Sequence, residues 1–436
     1  MVCEMNRRAN FGGGVCAMNL RRTGSVERLK AQGCKYNMIV RGMRGGEPIV
    51  EVSQIDSVVR ALNPYEEFGE FAKFAESPDL RFVISNSTEA GIIFDAADKL
   101  SDAPPSTFPA KLAQLLWRRF EFFKGDASKG LIALPCELLE RNGDALRGCV
   151  LKYARLWNLG GEFERWLERS CAFCNTLVDR IVSGLPSAED ARKLGISDEL
   201  AVVAEPYYLW AIEAPEFAAR ELPFKESGLN AVFVKDVAPF RARKVTLLNA
   251  PHTLMSAVAI QCGLATVLEA VSDDKVAEYL RRLMFGELVK TLDSPNGGLE
   301  DFAREVLERF KNPYLEHALK SIAMNSVGKC AVRAVPPARE YFTRFGHAPA
   351  ATAFGLAANI KMAFETRAAL PPALSHVAAE KDMLAYAAAI LSSSDFFGGD
   401  RAGFAPVKTA VSGYLENIQN RGMPAALEDF LNERHS

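Results

Sequence analysis

Lys244, Asn249 and His252 bring an amine, an amide and an imidazole into nine residues of the stretch Arg243-Lys-Val-Thr-Leu-Leu-Asn-Ala-Pro-His-Thr253. At about 100° per residue, a helix spreads the three over roughly 140° of one side, so all can face a single cleft. That grouping suits proton transfer from a hydroxyl. A lysine serves as general base when burial or neighbouring cations depress its pKa, and Arg241 and Arg243 lie close upstream. Asn249 is placed to hydrogen-bond a reacting oxygen, and His252 to orient a substrate hydroxyl. The same residues equally suit a solvated lysine at a helix start, a capping asparagine and a helix-surface histidine.

The elements that must position this cluster change character near residue 200. Before it, short β-branched runs at 15–18, 36–40, 81–85 and 131–135 alternate with helical patterns at 108–123 and 145–157. Such alternation predicts a parallel sheet flanked by helices. Extended segments follow at 201–204 and 230–234. From Lys244 onward the periodicity is helical, over 253–271, 275–292, 298–310, 313–329, 351–367, 378–392 and 408–419. The Gly/Asp/Phe-rich stretch 394–404 predicts a surface loop. The expected division is therefore an α/β domain over 1–199 and a mainly α-helical domain over 200–436.

Composition bounds the partners. A chain of 436 residues exceeds one ordinary core, so two domains are expected. Its 49% hydrophobic and 24% charged residues are globular values. A net charge of -2 gives no global attraction to nucleic acid or anionic membrane. No apolar run reaches the roughly 18 residues that suggest a membrane span, and the start lacks the apolar core of a secretory signal. Nine scattered cysteines point to a reducing cytoplasm, with a monomer or small homo-oligomer expected. Cys171-Ala-Phe-Cys174 has the spacing of a redox or metal pair, but without a second pair or nearby histidines it predicts two packed thiols and no metal.

Lys-x4-Asn-x2-His resembles the catalytic signature of the polyol-specific long-chain dehydrogenases, the mannitol dehydrogenase family. Arg81-Phe-Val-Ile-Ser-Asn-Ser-Thr-Glu-Ala-Gly91, Ser106-Thr-Phe-Pro-Ala-Lys-Leu112, Pro135-Cys-Glu-Leu-Leu-Glu-Arg-Asn-Gly143, Phe173-Cys-Asn-Thr-Leu-Val-Asp-Arg-Ile-Val182 and Arg309-Phe-Lys-Asn-Pro-Tyr314 follow in that family's order. Their wording is similar to the branch that interconverts the sugar acids altronate and tagaturonate. The resemblance implies a doubly wound Rossmann-like domain, a helical substrate domain, an active site in the cleft between them, NAD as cofactor and no metal. It implies Lys244 as general base, Asn249 and Asn142 as an oxyanion hole, His252 as the orienting imidazole, and Asp179 as a carboxylate beside the lysine. Lys329 matches a substrate-contacting cation suited to a uronate carboxylate. Ser321, where the polyol branch carries arginine, and Arg180 complete the substrate side.

Two departures accompany the resemblance. By alignment, Val15–Met18 falls on the family's second strand, so the Rossmann domain is expected to be N-terminally incomplete in this sequence, without its Gly-rich strand–turn–helix. Phe11-Gly-Gly-Gly14 precedes a strand rather than a helix and predicts a flexible linker. Asn19, in Met18-Asn-Leu-Arg-Arg22, then stands where a cofactor ribose binds; no acid is there, so spacing leans towards NADP while the resemblance implies NAD. Thr88 and Glu89, just past the strand ending at Ser85, fall at the cofactor crevice or at an ordinary helix start. The second departure is Pro251, directly before His252, which predicts a helix start or a kink. The nearest competing activities are reduction of fructuronate or of a polyol's ketose; a non-catalytic binding role competes from another class.

Overall fold

The computed structural model describes residues 1–45, 47–87, 91–293, 297–314, 317–398 and 404–433. It divides into two units, Met1–Arg41 with Pro48–Phe240, and Gly42–Glu47 with Arg241–Ser436.

The first unit is built on strands in both parallel and antiparallel pairs, not on the wholly parallel sheet expected. Strand β1 (Val15–Met18) is followed by a long pair, β2 (Tyr36–Arg44) and β3 (Glu47–Ile55), then by β4 (Val58–Leu62), β5 (Phe82–Ser85), β6 (Ile132–Pro135) and β7 (Ala172–Phe173). After these come β8 (Asn175–Asp179), β9 (Val182–Gly184), β10 (Val202–Ala204), β11 (Leu209–Glu213) and β12 (Ala231–Val234). β1 pairs in parallel with β4, and β5, β6 and β7 pair in parallel in that order. These two sets reproduce the 3-2 and 4-5-6 portions of a doubly wound sheet. Among the described residues β1 pairs only with β4, and β5 only with β6. Ile84 on β5 is 55% exposed, unusual for an apolar side chain in a parallel sheet.

β6 is the central strand of its sheet. Its four residues are all buried, with helices over one face and a helix and a strand over the other. Ala133 packs with Leu112, Leu116, Leu146 and Val150 from the helices Phe108–Phe122 and Asn142–Leu156. Ile132 and Leu134 pack the other way, with Met5 of the helix Val2–Ala9 and with Trp210 and Ile212 of β11.

The structure moves several expected boundaries. The unit boundary lies at Phe240/Arg241, not near 200, because β10 pairs with β2 and β11 pairs with β8. The β2–β3 pair and β4 lie where no strand was expected beyond residue 40. Residues 11–14 are not a loose linker: the Asn6 side chain donates to the Gly13 carbonyl and accepts from the Gly13 amide, both at 2.8 Å.

In the second unit the helices Ala250–Gln261 and Ala350–Thr366 are buried almost all round, as expected of central helices. The predicted helix over 253–271 is two helices. The first ends at Gln261, Gly263 takes a left-handed φ of 87°, and a Thr266/Glu269 capping box starts the second. The helix expected over 313–329 is also interrupted, by Asn325 at φ 55° before Ser326–Arg333. The loop expected at 394–404 begins with the short helix Ser394–Phe397, which buries Phe396 and Phe397; residues 399–403 lie outside the described residues.

Candidate active site

The signature residues sit on a helical path that changes pitch. The helix Ala238–Lys244 ends at Lys244, Val245–Asn249 forms a π-helical turn, and an α-helix resumes at Ala250, whose amide donates to the Val245 carbonyl. Pro251 explains the change. A proline inside an α-helix lacks its amide and presses its ring on the carbonyl four residues back, here Leu247. The wider turn opens that spacing, so the path continues with Pro251 in the first turn of the new helix. The expected break is therefore absorbed locally. Lys244 and Asn249 stand at the two ends of this turn. His252 follows three residues later on the same face. Lys244 and Asn249 are half-buried.

His252 is not a surface histidine: it is only 8% exposed. Its ring stacks on Phe310 and meets His317 edge-on, each at a centroid distance of 4.8 Å. Burial pushes the imidazole well below its ordinary pKa, and the neighbouring His317 and the positive charges of Arg333, Arg309 and Lys329 push the same way. It is therefore neutral, with a buried Nε2 that has no hydrogen-bond partner among the described residues. Lys329 donates to the Ile322 carbonyl at 2.8 Å, and burial, with the charge of Arg333, lowers its pKa. Arg333, one turn along, donates to Thr253 Oγ1 at 3.2 Å. Arg309, His317 and Arg333 were not singled out from the sequence. Arg309 belongs to a recognisable motif, but the other two reach His252 only through tertiary packing. Ser321 is exposed on the short helix Leu319–Ala323.

In the first unit, the C-terminal ends of β5 and β6 and the start of β8 are tied together by buried polar groups. Glu137 accepts from Ser85 Oγ at 2.9 Å and from the Ser87 amide and hydroxyl at 3.0 and 2.8 Å. Asn142 is 1% exposed. Its Nδ2 faces the carbonyls of Pro135, Glu137 and Thr176 at 2.8–3.0 Å, and its Oδ1 accepts from the Gly143 and Thr176 amides. Two amide hydrogens serving three carbonyls leave no donor for a reacting oxygen, so the expected oxyanion role does not match this geometry. Gly143 is required beside it, since a Cβ there would collide with the Cys174 carbonyl. Asp179 is buried at the end of β8. Arg180 turns its guanidinium to the Glu205 carbonyl, at 3.0 and 2.9 Å, and over the Tyr208 ring at 5.3 Å. These ties hold it to its own unit's backbone, and burial lowers its pKa.

A dinucleotide needs a surface for its adenosine end and a cradle for its phosphates. Beyond β1, the Asn19 backbone amide donates to the Leu62 carbonyl at 3.2 Å, and a Cβ on Gly24 would collide with the Asn19 side chain. This places Asn19 under a tight turn at the strand's C-terminal end, where a ribose is expected. The Gly-rich loop at 11–14 leads into β1 and is closed by Asn6, so it does not form the helix-start cradle. Thr88 and Glu89 lie outside the described residues. Cys171 and Cys174 are buried in separate apolar clusters, and burial raises both thiols to about 12. They are packed, inert thiols.

The family model of the mannitol dehydrogenase Rossmann domain matches residues 8–226, and that of the mannitol dehydrogenase C-terminal domain matches residues 236–391. The chain is 46% identical over 363 residues to an altronate oxidoreductase of Phocaeicola vulgatus, covering 83% of this chain and 76% of that one. It is 38% identical over 439 residues to the altronate oxidoreductase of Bacillus subtilis, covering 98% and 91%. Among solved structures it is similar in fold to a substrate-free D-sorbitol dehydrogenase, with a TM-score of 0.80 at 24% identity over 98% of this chain and 91% of that one. The Pseudomonas fluorescens mannitol 2-dehydrogenase, solved with NAD and D-mannitol, gives 0.75 at 20% identity over 99% and 91%. With the ordered motifs and the two-domain match, this chain belongs to the mannitol dehydrogenase family of oxidoreductases.

Proposed function

We propose that this chain interconverts a hydroxyl and a ketone of a sugar acid, altronate and tagaturonate, with NAD as hydride carrier. The observation that carries the reading is the setting of His252, a neutral buried imidazole surrounded by the positive charges of Lys329, Arg333 and Arg309. Such a setting suits a substrate bearing hydroxyls and a carboxylate. Relatives 38–46% identical bear the name altronate oxidoreductase, which supports the same substrate class.

The proton chemistry belongs to the signature helix. Lys244 takes the proton from the alcohol oxygen in one direction and returns it to the ketone oxygen in the other. Asn249, at the other end of the π turn, donates to that oxygen as negative charge builds. His252 orients a neighbouring hydroxyl through its unpartnered Nε2. Lys329, with Arg333 beside it, receives the carboxylate. Nicotinamide, when bound, supplies or accepts the hydride. Asn142 contributes by holding the end of β6 and the start of β8.

NADH oxidation measured with tagaturonate, fructuronate and fructose tests the assignment. Turnover of tagaturonate is expected to be fastest. Turnover of fructose alone would overturn the sugar-acid reading, and preference for fructuronate would move the substrate within it.

A further inference from the structure

The end of β1 carries Arg21 and Arg22 where a dehydrogenase specific for unphosphorylated NAD carries an acid for the ribose 2′-hydroxyl. Neither arginine has a carboxylate partner among the described residues, and both are exposed. Arg22 is nevertheless fixed. Its guanidinium lies 5.2 Å from the Tyr65 ring centroid, and its carbonyl accepts from the Asn63 side chain at 3.3 Å. The Tyr65 hydroxyl donates to the Leu20 carbonyl at 3.2 Å, while Lys111 packs its ammonium over the same ring at 5.0 Å. Together with the Asn19–Leu62 bond, these contacts tie the turn to the segment that follows β4.

Two acids near the turn are already engaged. Asp98, which contributes to the field at Tyr65, accepts from the amide and hydroxyl of both Ser106 and Thr107, and from the Tyr153 hydroxyl. Glu67 pairs with Lys30 and accepts from the Asn63 amide. The turn beyond β1 is thus a preorganised cationic surface with, among the described residues, no carboxylate held against its arginines.

We infer that Arg22, seated on Tyr65 and assisted by Arg21, is a subsite for the 2′-phosphate of an adenine dinucleotide, so that this chain accepts NADP as well as NAD. The inference rests on the dinucleotide reading above and adds which form the chain takes. A guanidinium held on an aromatic face reaches a phosphate with two parallel donors and little loss of side-chain freedom. The absence of an acid at the strand end removes the repulsion that normally rejects the phosphorylated form.

Calorimetric titration of the full chain with NAD, NADP, 5′-AMP and adenosine 2′,5′-bisphosphate tests this without turnover. NADP is expected to bind within about threefold of NAD, and the bisphosphate about tenfold or more tighter than 5′-AMP. Arg22→Gln should weaken NADP by about ten- to hundredfold while leaving NAD within about twofold, with an unchanged Tm because the side chain is exposed. NADP binding more than about tenfold weaker than NAD to the unaltered chain would overturn the inference. Equal weakening of both dinucleotides by Arg22→Gln would do the same. Binding of neither dinucleotide would instead remove the cofactor reading on which it rests.

Discussion

His252 and His317 meet edge-to-face, with ring centroids 4.8 Å apart and planes at 82°. Both imidazoles are lowered in pKa chiefly by burial, so the folded chain holds them neutral where the unfolded chain, titrating near 6.5, takes up protons. The unfolded state therefore binds more protons below about pH 6.5, and this pair's contribution to stability falls as pH falls. Urea denaturation at pH 7.5 and 5.5 should show the loss reduced in His317→Phe, which keeps a ring against His252. An identical pH response in both proteins would contradict the neutral pair.

Lys329 donates to a neutral carbonyl and lies in the field of Arg333, an arrangement that an incoming carboxylate relieves. Lys329→Met should raise KM for tagaturonate by about ten- to hundredfold, the range of one charge-assisted hydrogen bond, with kcat much less affected. Steady-state kinetics check this. A fall in kcat at constant KM would assign Lys329 to the transition state instead.

Asn142 is predicted to behave as a structural residue. Its removal strands buried carbonyls and amides, at roughly 1–3 kcal/mol for each unsatisfied group, so Asn142→Ala should lower unfolding free energy by about 3 kcal/mol or more. Chemical denaturation reads this directly. A fully stable variant with a large loss of kcat would restore the oxyanion role.

Glu287 gives a pH effect of opposite sign to the histidines. Its carboxyl accepts from the amides of Ala351 and Thr352 and from the Thr352 hydroxyl, yet burial outweighs these donors and raises its pKa to about 7. Between about 4.5 and 7 the folded chain retains a proton that the unfolded chain has lost. The contribution is complete below the lower value and disappears as pH rises through the upper one. The two effects oppose each other from pH 5 to 7, so each is read as the difference between parent and variant. Glu287→Gln should lose stability relative to the parent at pH 5 and recover part of the difference at pH 8. A pH-independent difference would contradict the raised carboxyl.

Local signals carried much of this architecture. The run at 15–18 is bounded by glycine and asparagine and forms β1 over that span, and the Thr107-Phe-Pro start gives the helix Phe108–Phe122 its cap. Gly263 and Thr266 were readable as a helix stop and start, but continuous apolar periodicity concealed the break. The chemistry of Lys244, Asn249 and His252 was visible in residue types. The π turn was not, because its cause is a steric conflict between Pro251 and a carbonyl one turn earlier. His317 and Arg333 were invisible for a different reason: they lie 65 and 81 positions beyond His252 and gain meaning only from packing. Asn142 shows the converse, a motif residue whose hydrogen-bonding capacity is used by the fold.

The central claim is that Lys244 carries the proton, and Lys244→Ala tests it most directly in single-turnover reduction of tagaturonate by NADH. Losing a positioned general acid–base group should slow the chemical step by about 10²–10⁴-fold, with calorimetric NADH affinity and Tm unchanged and with partial recovery by a small primary amine. A variant that keeps the parent's single-turnover rate within about threefold, with the same pH dependence, would contradict the account.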